Sequence, residues 1–208
     1  MLRALALLAL MALAACGGPA EPIWAPQARV DAARYVHDGP PTLTLYTVQS
    51  TKNGSGAHSG LMINADQRII FDPAGTFKLP FLPERNDVHF GMDENAVKVY
   101  IDYHARETFD VVEQTVVVTP EQAAIAARLV QDYGAVPKAQ CSLAISRILG
   151  QVPGFQSIPT SYFPNATMNR FGQLPGVTTR RITDDDADQN HNVLFDASQR
   201  PTPPRKIN

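Results

Sequence analysis

Gln140-Cys141-Ser142-Leu143-Ala144-Ile145-Ser146-Arg147-Ile148-Leu149-Gly150 is the stretch on which the fold turns. Leu143, Ile145, Ile148 and Leu149 are its apolar positions and Gly150 is a natural stop, so the pattern predicts a helix from about Gln140 to Leu149. Cys141 then falls in the first turn. Unsatisfied backbone N–H groups and the helix dipole favour negative charge there, which stabilises a thiolate, and a protonated histidine beside it lowers the thiol pKa further. The same amides can point at a developing oxyanion. The plainer role for Cys141 is a small core residue that holds this helix against a sheet.

Working backwards, Thr119-Pro120-Glu121-Gln122 combines a capping residue, proline at the first helical position and glutamine three residues after the cap. It predicts a helix through Tyr133, with Ile125, Leu129 and Val130 on the buried stripe and Gly134 as the stop. The segments before it read as strands: Leu43–Val48, Ser59–Ile63, Arg68–Phe71, Val97–Tyr103 and Val111–Val118. Asn64-Ala65-Asp66-Gln67 turns the second into the third as a hairpin, and Asp72-Pro73-Ala74-Gly75 ends it. The expectation is an α+β domain, an antiparallel β-sheet packed against helices, with the candidate nucleophile at a helix N-terminus.

The chain has two cysteines in 208 residues. Cys16 closes Leu13-Ala14-Ala15-Cys16, after the positive Arg3 and the apolar run Ala4–Leu13. That run is shorter than the roughly 20 apolar residues of a membrane span and reads as a signal peptide. The small residues before Cys16 resemble a bacterial lipobox, in which the cysteine is lipidated and becomes the first residue after cleavage. The expected layout is a signal peptide over 1–15, a lipidated tether over 16–42, the domain over 43–183, and an acidic loop with an extended tail over 184–208. This places the protein in the cell envelope, lipid-anchored on the periplasmic face, and Gly17, which is no acidic retention signal, points to the outer membrane. With Cys16 lipidated, Cys141 has no partner for an internal disulfide. An unpaired thiol in an oxidising compartment is exposed to oxidation, so it needs either burial or chemistry to account for it.

His58 is the candidate base. It opens a strand directly after the glycine-rich loop Asn53-Gly54-Ser55-Gly56, where it can take a proton from the thiol and return one to a leaving group. Asp72, at the far end of the partner strand, is the candidate third member that orients the imidazole. Its ordinary role is that of aspartate in an Asp-Pro turn. Hairpin parity decides between them. A turn centred between Ala65 and Asp66 puts Asp72 on the face opposite His58, whereas a bulge, or a turn centred on either residue, puts both on one face. His89 and His104 read as surface or substrate-loop residues, with His104 the substitute base if the hairpin is misread.

Ala57-His58-Ser59-Gly60-Leu61-Met62-Ile63, then Arg68-Ile69-Ile70-Phe71-Asp72-Pro73-Ala74-Gly75, then Gln140-Cys141-Ser142-Leu143 come in the order histidine, acid, cysteine. This resembles the circularly permuted branch of the papain-like superfamily that includes the NlpC-type cell-wall peptidases and lecithin–retinol acyltransferase. The resemblance covers roughly 43–150. It implies a sheet carrying the histidine packed on a helix that starts with the cysteine, with Cys141 as nucleophile, His58 as base and Asp72 as the polar third residue. It also implies a thiol hydrolase or acyltransferase acting on an amide or ester, such as a cell-wall peptide or an acylated lipid or lipoprotein. The alternative is a non-catalytic envelope lipoprotein that uses the fold as a binding or scaffolding module.

Other chemistries have little support. Net charge is −2 with no basic block, which gives no footprint for nucleic acid. No cofactor motif is present, and no two histidines stand four apart as zinc ligands would on a helix. Asp184-Asp185-Asp186 with Asp188 lacks the glycine and terminal glutamate of a calcium loop and reads as a solvated acidic loop. Tyr162-Phe163-Pro164 and Phe171 are expected to cover the core or the cleft.

Overall fold

A computed structural model describes residue 20 and residues 22–188 and 191–199. The expected signal peptide, the candidate lipidation site Cys16 and the tail from Pro201 lie outside the described residues. Among the described residues no helix is long and apolar enough to cross a membrane.

The architecture is α+β. Strands β1 (Thr42–Ser50), β2 (Gly56–Asn64), β3 (Arg68–Phe71), β4 (Glu84–Arg85), β5 (Val88–Phe90), β6 (Phe109–Val117) and β7 (Thr178–Ile182) form one sheet in the order β4-β5-β3-β2-β1-β6-β7. Every pairing is antiparallel. The helices are α1 (Gln27–Ala33), α2 (Glu94–His104), α3 (Pro120–Tyr133), α4 (Cys141–Leu149), α5 (Pro164–Phe171) and α6 (His191–Gln199).

Alternation along the strands sends side chains into two cores. Leu43, Leu45, Leu61, Ile63, Ile69 and Phe71 pack with Ala126 and Val130 of α3 and with Ala144, Ile145 and Ile148 of α4. On the other face Tyr46, Met62 and Ile70 pack with Ala96, Val99, Tyr100 and Tyr103 of α2 and with Ala197 of α6. Helix α4 is buried almost all round, with only Arg147 exposed. Its N-terminus is therefore fixed by packing rather than by a capping side chain, which Gln140 does not provide.

Four expectations need correction. Val97–Tyr103 is not a strand but most of α2. Val97, Val99 and Ile101 do alternate, yet the buried residues Ala96, Val99, Tyr100 and Tyr103 follow a period of three to four, and Asp93 caps the helix by accepting from the Ala96 N–H at 2.8 Å. The tether expected over 16–42 is a docked segment from Trp24 onward. Val30 and Ala33 of α1 are buried, Trp24 bridges to Arg85, and the Arg68 N–H donates to the Tyr35 carbonyl at 2.8 Å. The region expected as an acidic loop and extended tail contains α6, which contributes Ala197 to the α2 core. His89 and His104, read as surface or substrate-loop residues, are both buried.

The cap of α3 follows the residue pattern closely. The Thr119 hydroxyl accepts from the Gln122 N–H at 3.2 Å, and the Gln122 side chain accepts from the Thr119 N–H at 2.8 Å. Thr119→Ala should lower the stability by about 1 kcal/mol, read as a fall in the urea midpoint at constant m.

Candidate active site

The hairpin pairs Leu61 with Phe71 and Asn64 with Arg68, so its turn is centred on Asp66. Extending that register by one residue places Asp72 opposite Gly60, and hence on the same face as His58. Both then lie on the α2 side of the sheet, and the His58 Nε2–H donates to Asp72 Oδ1 across 2.7 Å. Pro73, which has no N–H to donate to a ladder, follows Asp72, and β3 stops at Phe71. Beyond that point β2 has no β3 partner.

Cys141 reaches the site from the opposite face of the sheet. Helix α4 packs on the Leu61–Ile63 side, but its first residue meets β2 where β3 has ended. There the thiol lies close enough to the His58 imidazole and to the Ser59 and Ser142 amides for each to draw its pKa down. Since Nε2 of His58 faces Asp72, Nδ1 is the nitrogen left for Cys141. The residue before the N-cap, Ala139, has φ +64°, a left-handed conformation costly for a non-glycine residue, and it sets the direction in which the chain enters α4. The Ser142 and Thr167 hydroxyls share a hydrogen bond of 2.8 Å that ties this first turn to α5.

Two further residues complete the surroundings of Asp72: Tyr100, not anticipated from sequence, and His104, weighed there only as a substitute base. The Tyr100 hydroxyl of α2 donates to the same Oδ1 at 2.8 Å. His104, one turn later, stacks on His58 with ring centroids 5.5 Å apart and planes within 6°. Its Nδ1–H donates to the Tyr100 carbonyl at 2.7 Å. Tyr100 and His104 stand four apart, which puts them on one face of a helix. That signal was concealed because the segment reads as a strand.

Two glycines make room for the carboxylate. A methyl group at Gly60 would overlap the Tyr100 hydroxyl, and one at Gly75 would overlap the Asp72 carboxylate and lie 2.9 Å from its backbone oxygen.

Charge is distributed by these contacts. Burial opposes ionisation of His58, but the field and hydrogen bond of Asp72, together with the Cys141 thiol, outweigh it and push the imidazole up to about 10. Burial likewise opposes the Asp72 anion, and His58 holds it well below the usual carboxylate range. For Cys141 burial pushes the thiol up. The hydrogen bond and charge of His58, with the Ser59 and Ser142 amides, more than offset this and leave the thiol below its ordinary value. His104 and His89 go the other way, since burial brings each down to about 4 despite the nearby Asp72. The group therefore holds one imidazolium and two neutral imidazoles around a single carboxylate.

His58, Asp72 and His104 also offer two nitrogens and an oxygen within 4.8 Å of one another, a donor set of a kind that suits a transition metal. The 2.7 Å between His58 and Asp72 is the length of a hydrogen bond, shorter than the roughly 3.3 Å that separates two ligand atoms on a tetrahedral zinc ion. Asp102, Asp184 and Asp186 form a second carboxylate group.

A cavity of about 450 Å³ opens beside the pair. Its walls include His58, Ala57, Thr76, Tyr103 and His104, and do not include Cys141. Tyr162 and Phe163 are exposed, whereas Phe171 is buried in the core. Comparison of the chain with protein-family models, with characterised proteins and with solved structures gives no match.

Asp72→Asn keeps the shape of the site and removes the charge that protonates His58. The His58 pKa should fall and the Cys141 pKa rise, so the rising limb of iodoacetamide alkylation against pH moves to higher pH. At pH 6 the rate should drop about tenfold for each unit of that shift.

Proposed function

We propose that this chain is a thiol hydrolase or acyltransferase of the cell envelope, built on a permuted papain-like plan and anchored through lipid on Cys16. The observation that carries the reading is the 2.7 Å hydrogen bond from His58 to the buried Asp72, with the imidazole drawing down the pKa of Cys141 at a helix N-terminus. A cysteine kept only for packing has no need of a charged histidine held in place by a buried carboxylate.

The chemistry follows from the atoms. The Cys141 thiolate attacks the acyl carbon of an amide or ester and forms a C–S bond. The carbonyl oxygen becomes an oxyanion within reach of the first-turn amides of α4, where fixed donors stabilise developing charge. The C–N or C–O bond breaks, and the leaving group takes the proton from His58 Nδ1. Water, an amine or a hydroxyl then attacks the thioester, gives its proton to the now neutral His58, and the C–S bond breaks to return the thiolate. Asp72 holds the ring orientation and offsets the imidazolium charge throughout. A lipid anchor suits substrates fixed in the envelope, cell-wall peptides or acylated lipids and lipoproteins.

Incubation with a p-nitrophenyl ester, quenched in acid, should show the acyl mass on Cys141 and a burst of p-nitrophenol. Cys141→Ala should abolish both, and His58→Ala should slow the burst by about 10²–10⁴-fold. A thiol that reacts only in denaturant would instead make Cys141 a packing residue and leave the binding or scaffolding reading. Cys16→Ser should move the protein from the membrane fraction to the soluble fraction on cell fractionation.

A further inference from the structure

Tyr100 makes the second hydrogen bond of the site, and the reaction above gives it no part. Its ring is buried against Tyr46 and Phe77, with centroids 5.3 and 5.0 Å away, and Gly60 leaves space for its hydroxyl. Oδ1 of Asp72 accepts from His58 at 2.7 Å and from Tyr100 at 2.8 Å, while among the described residues Oδ2 has no hydrogen-bond partner. Two donors of different kind therefore share one oxygen. One is an imidazole that gains and loses charge during the reaction. The other is a phenol that burial and the Asp72 charge push well above its ordinary pKa, so it stays a neutral donor throughout. Tyr100 does not line the cavity beside His58, and its route to the reacting atoms runs through the carboxylate.

A neutral donor on Oδ1 is worth most when the imidazole is uncharged, because the buried carboxylate then has no counter-charge. It therefore stabilises the deprotonated ring relative to the protonated one. We propose, resting on the thiol acyl-transfer reading, that Tyr100 is a positioning residue whose hydroxyl weakens the hold of Asp72 on the His58 proton and so keeps the imidazole able to release it. During acylation the Nδ1 proton passes to the leaving group as the C–N or C–O bond breaks. The neutral ring beside an anionic Asp72 is the state that Tyr100 supports. During hydrolysis of the thioester the same neutral ring takes a proton from water as the new C–O bond forms, and the C–S bond breaks to the thiolate. Without the hydroxyl the ring keeps its proton to higher pH, and the base is withheld.

The test is Tyr100→Phe, which keeps the ring and removes the donor. The Cys141 acyl-enzyme is formed from a p-nitrophenyl ester and its hydrolysis is followed against pH. The rising limb reports loss of the proton from His58. His104 of α2 and His89 of β5 are neutral down to about pH 4, and Glu84 and Asp87 feel the Asp72 charge in both proteins. Acylated Cys141 carries no charge. The limb should move to higher pH by about 0.5–1 unit. The His58 ring protons, titrated by NMR in Cys141→Ala, should show the same rise when Tyr100→Phe is added. A site loosened by the substitution would instead let His58 fall toward its ordinary value and move the limb to lower pH. In an Asp72→Asn background Tyr100→Phe should move the limb by less than about 0.2 unit, because the hydroxyl acts through the carboxylate. A limb that stays in place or moves to lower pH, an equal shift in the Asp72→Asn background, or loss of the p-nitrophenol burst in Tyr100→Phe overturns the proposal and leaves the thiol chemistry standing. Absence of a burst in the unsubstituted protein overturns the thiol reading and this proposal together.

Discussion

The Asp72 carboxylate is the constraint on which the rest of the site depends. Its side chain is fully removed from water, and an isolated carboxylate in such a place would take up a proton rather than remain charged. Two donors on Oδ1, the His58 ring and the Tyr100 hydroxyl, and the positive charge on His58 keep it ionised. Each donor comes from a separate element, one from β2 and one from α2. The carboxylate thus fixes where α2 lies against the sheet as well as which way the imidazole points. Its own backbone is pinned twice, by its N–H to the Asp87 carbonyl at 2.8 Å and by the Gly75 N–H to its carbonyl at 3.0 Å. Breaking a buried pair of this kind by removing one partner typically costs about 3–5 kcal/mol, because the charge left behind has nothing to replace it.

The sheet divides the labour. Its α2 face carries the polar apparatus of His58, Asp72, Tyr100 and His104, and its α3–α4 face is the larger apolar core. The thiol belongs to the second face and the base to the first. They meet only because β3 is four residues long and ends before β2 does. The same truncation frees the Ser59 amide for the thiol. A longer β3 would have given Ser59 a ladder partner and closed the route between the two faces. Burial of the thiol at 7 % exposure is a consequence of this geometry.

Much of this was legible in the residues. The helix that begins at Cys141, the capping box before α3 and the hairpin follow from local pattern, because apolar spacing, glycine stops and proline act over a few residues. Other features were not. Val97, Val99 and Ile101 satisfy a strand period as well as they satisfy one side of a helix, and only the docking of Ala96, Tyr100 and Tyr103 on Met62 and Ile70 chooses between them. Reading a strand there hid Tyr100 and its relation to His104, since the i,i+4 relation exists only on a helix. Residues 24–33 and 191–199 read as tether and tail because they adjoin the glycine- and proline-rich stretch at 17–22 and, at the other end, the acidic run at 184–188 and the proline-rich end from Pro201. They are ordered by what they rest on, Val30 against the α3–α4 core and Ala197 against α2.

The sequence by itself determined the chemical vocabulary: one cysteine outside the N-terminal Leu-Ala-Ala-Cys run, one histidine at a strand start, an Asp-Pro strand end and a helix whose first turn receives that cysteine. These are local facts, set by residue type and by hydrogen bonds between near neighbours. The tertiary structure decided the parity that puts Asp72 with His58, because the centre of a four-residue turn depends on strand pairing and not on its composition. It also decided that His58 is charged while His104 and His89 are neutral. All three have the same intrinsic chemistry, and only their distances from one buried carboxylate and from water separate them.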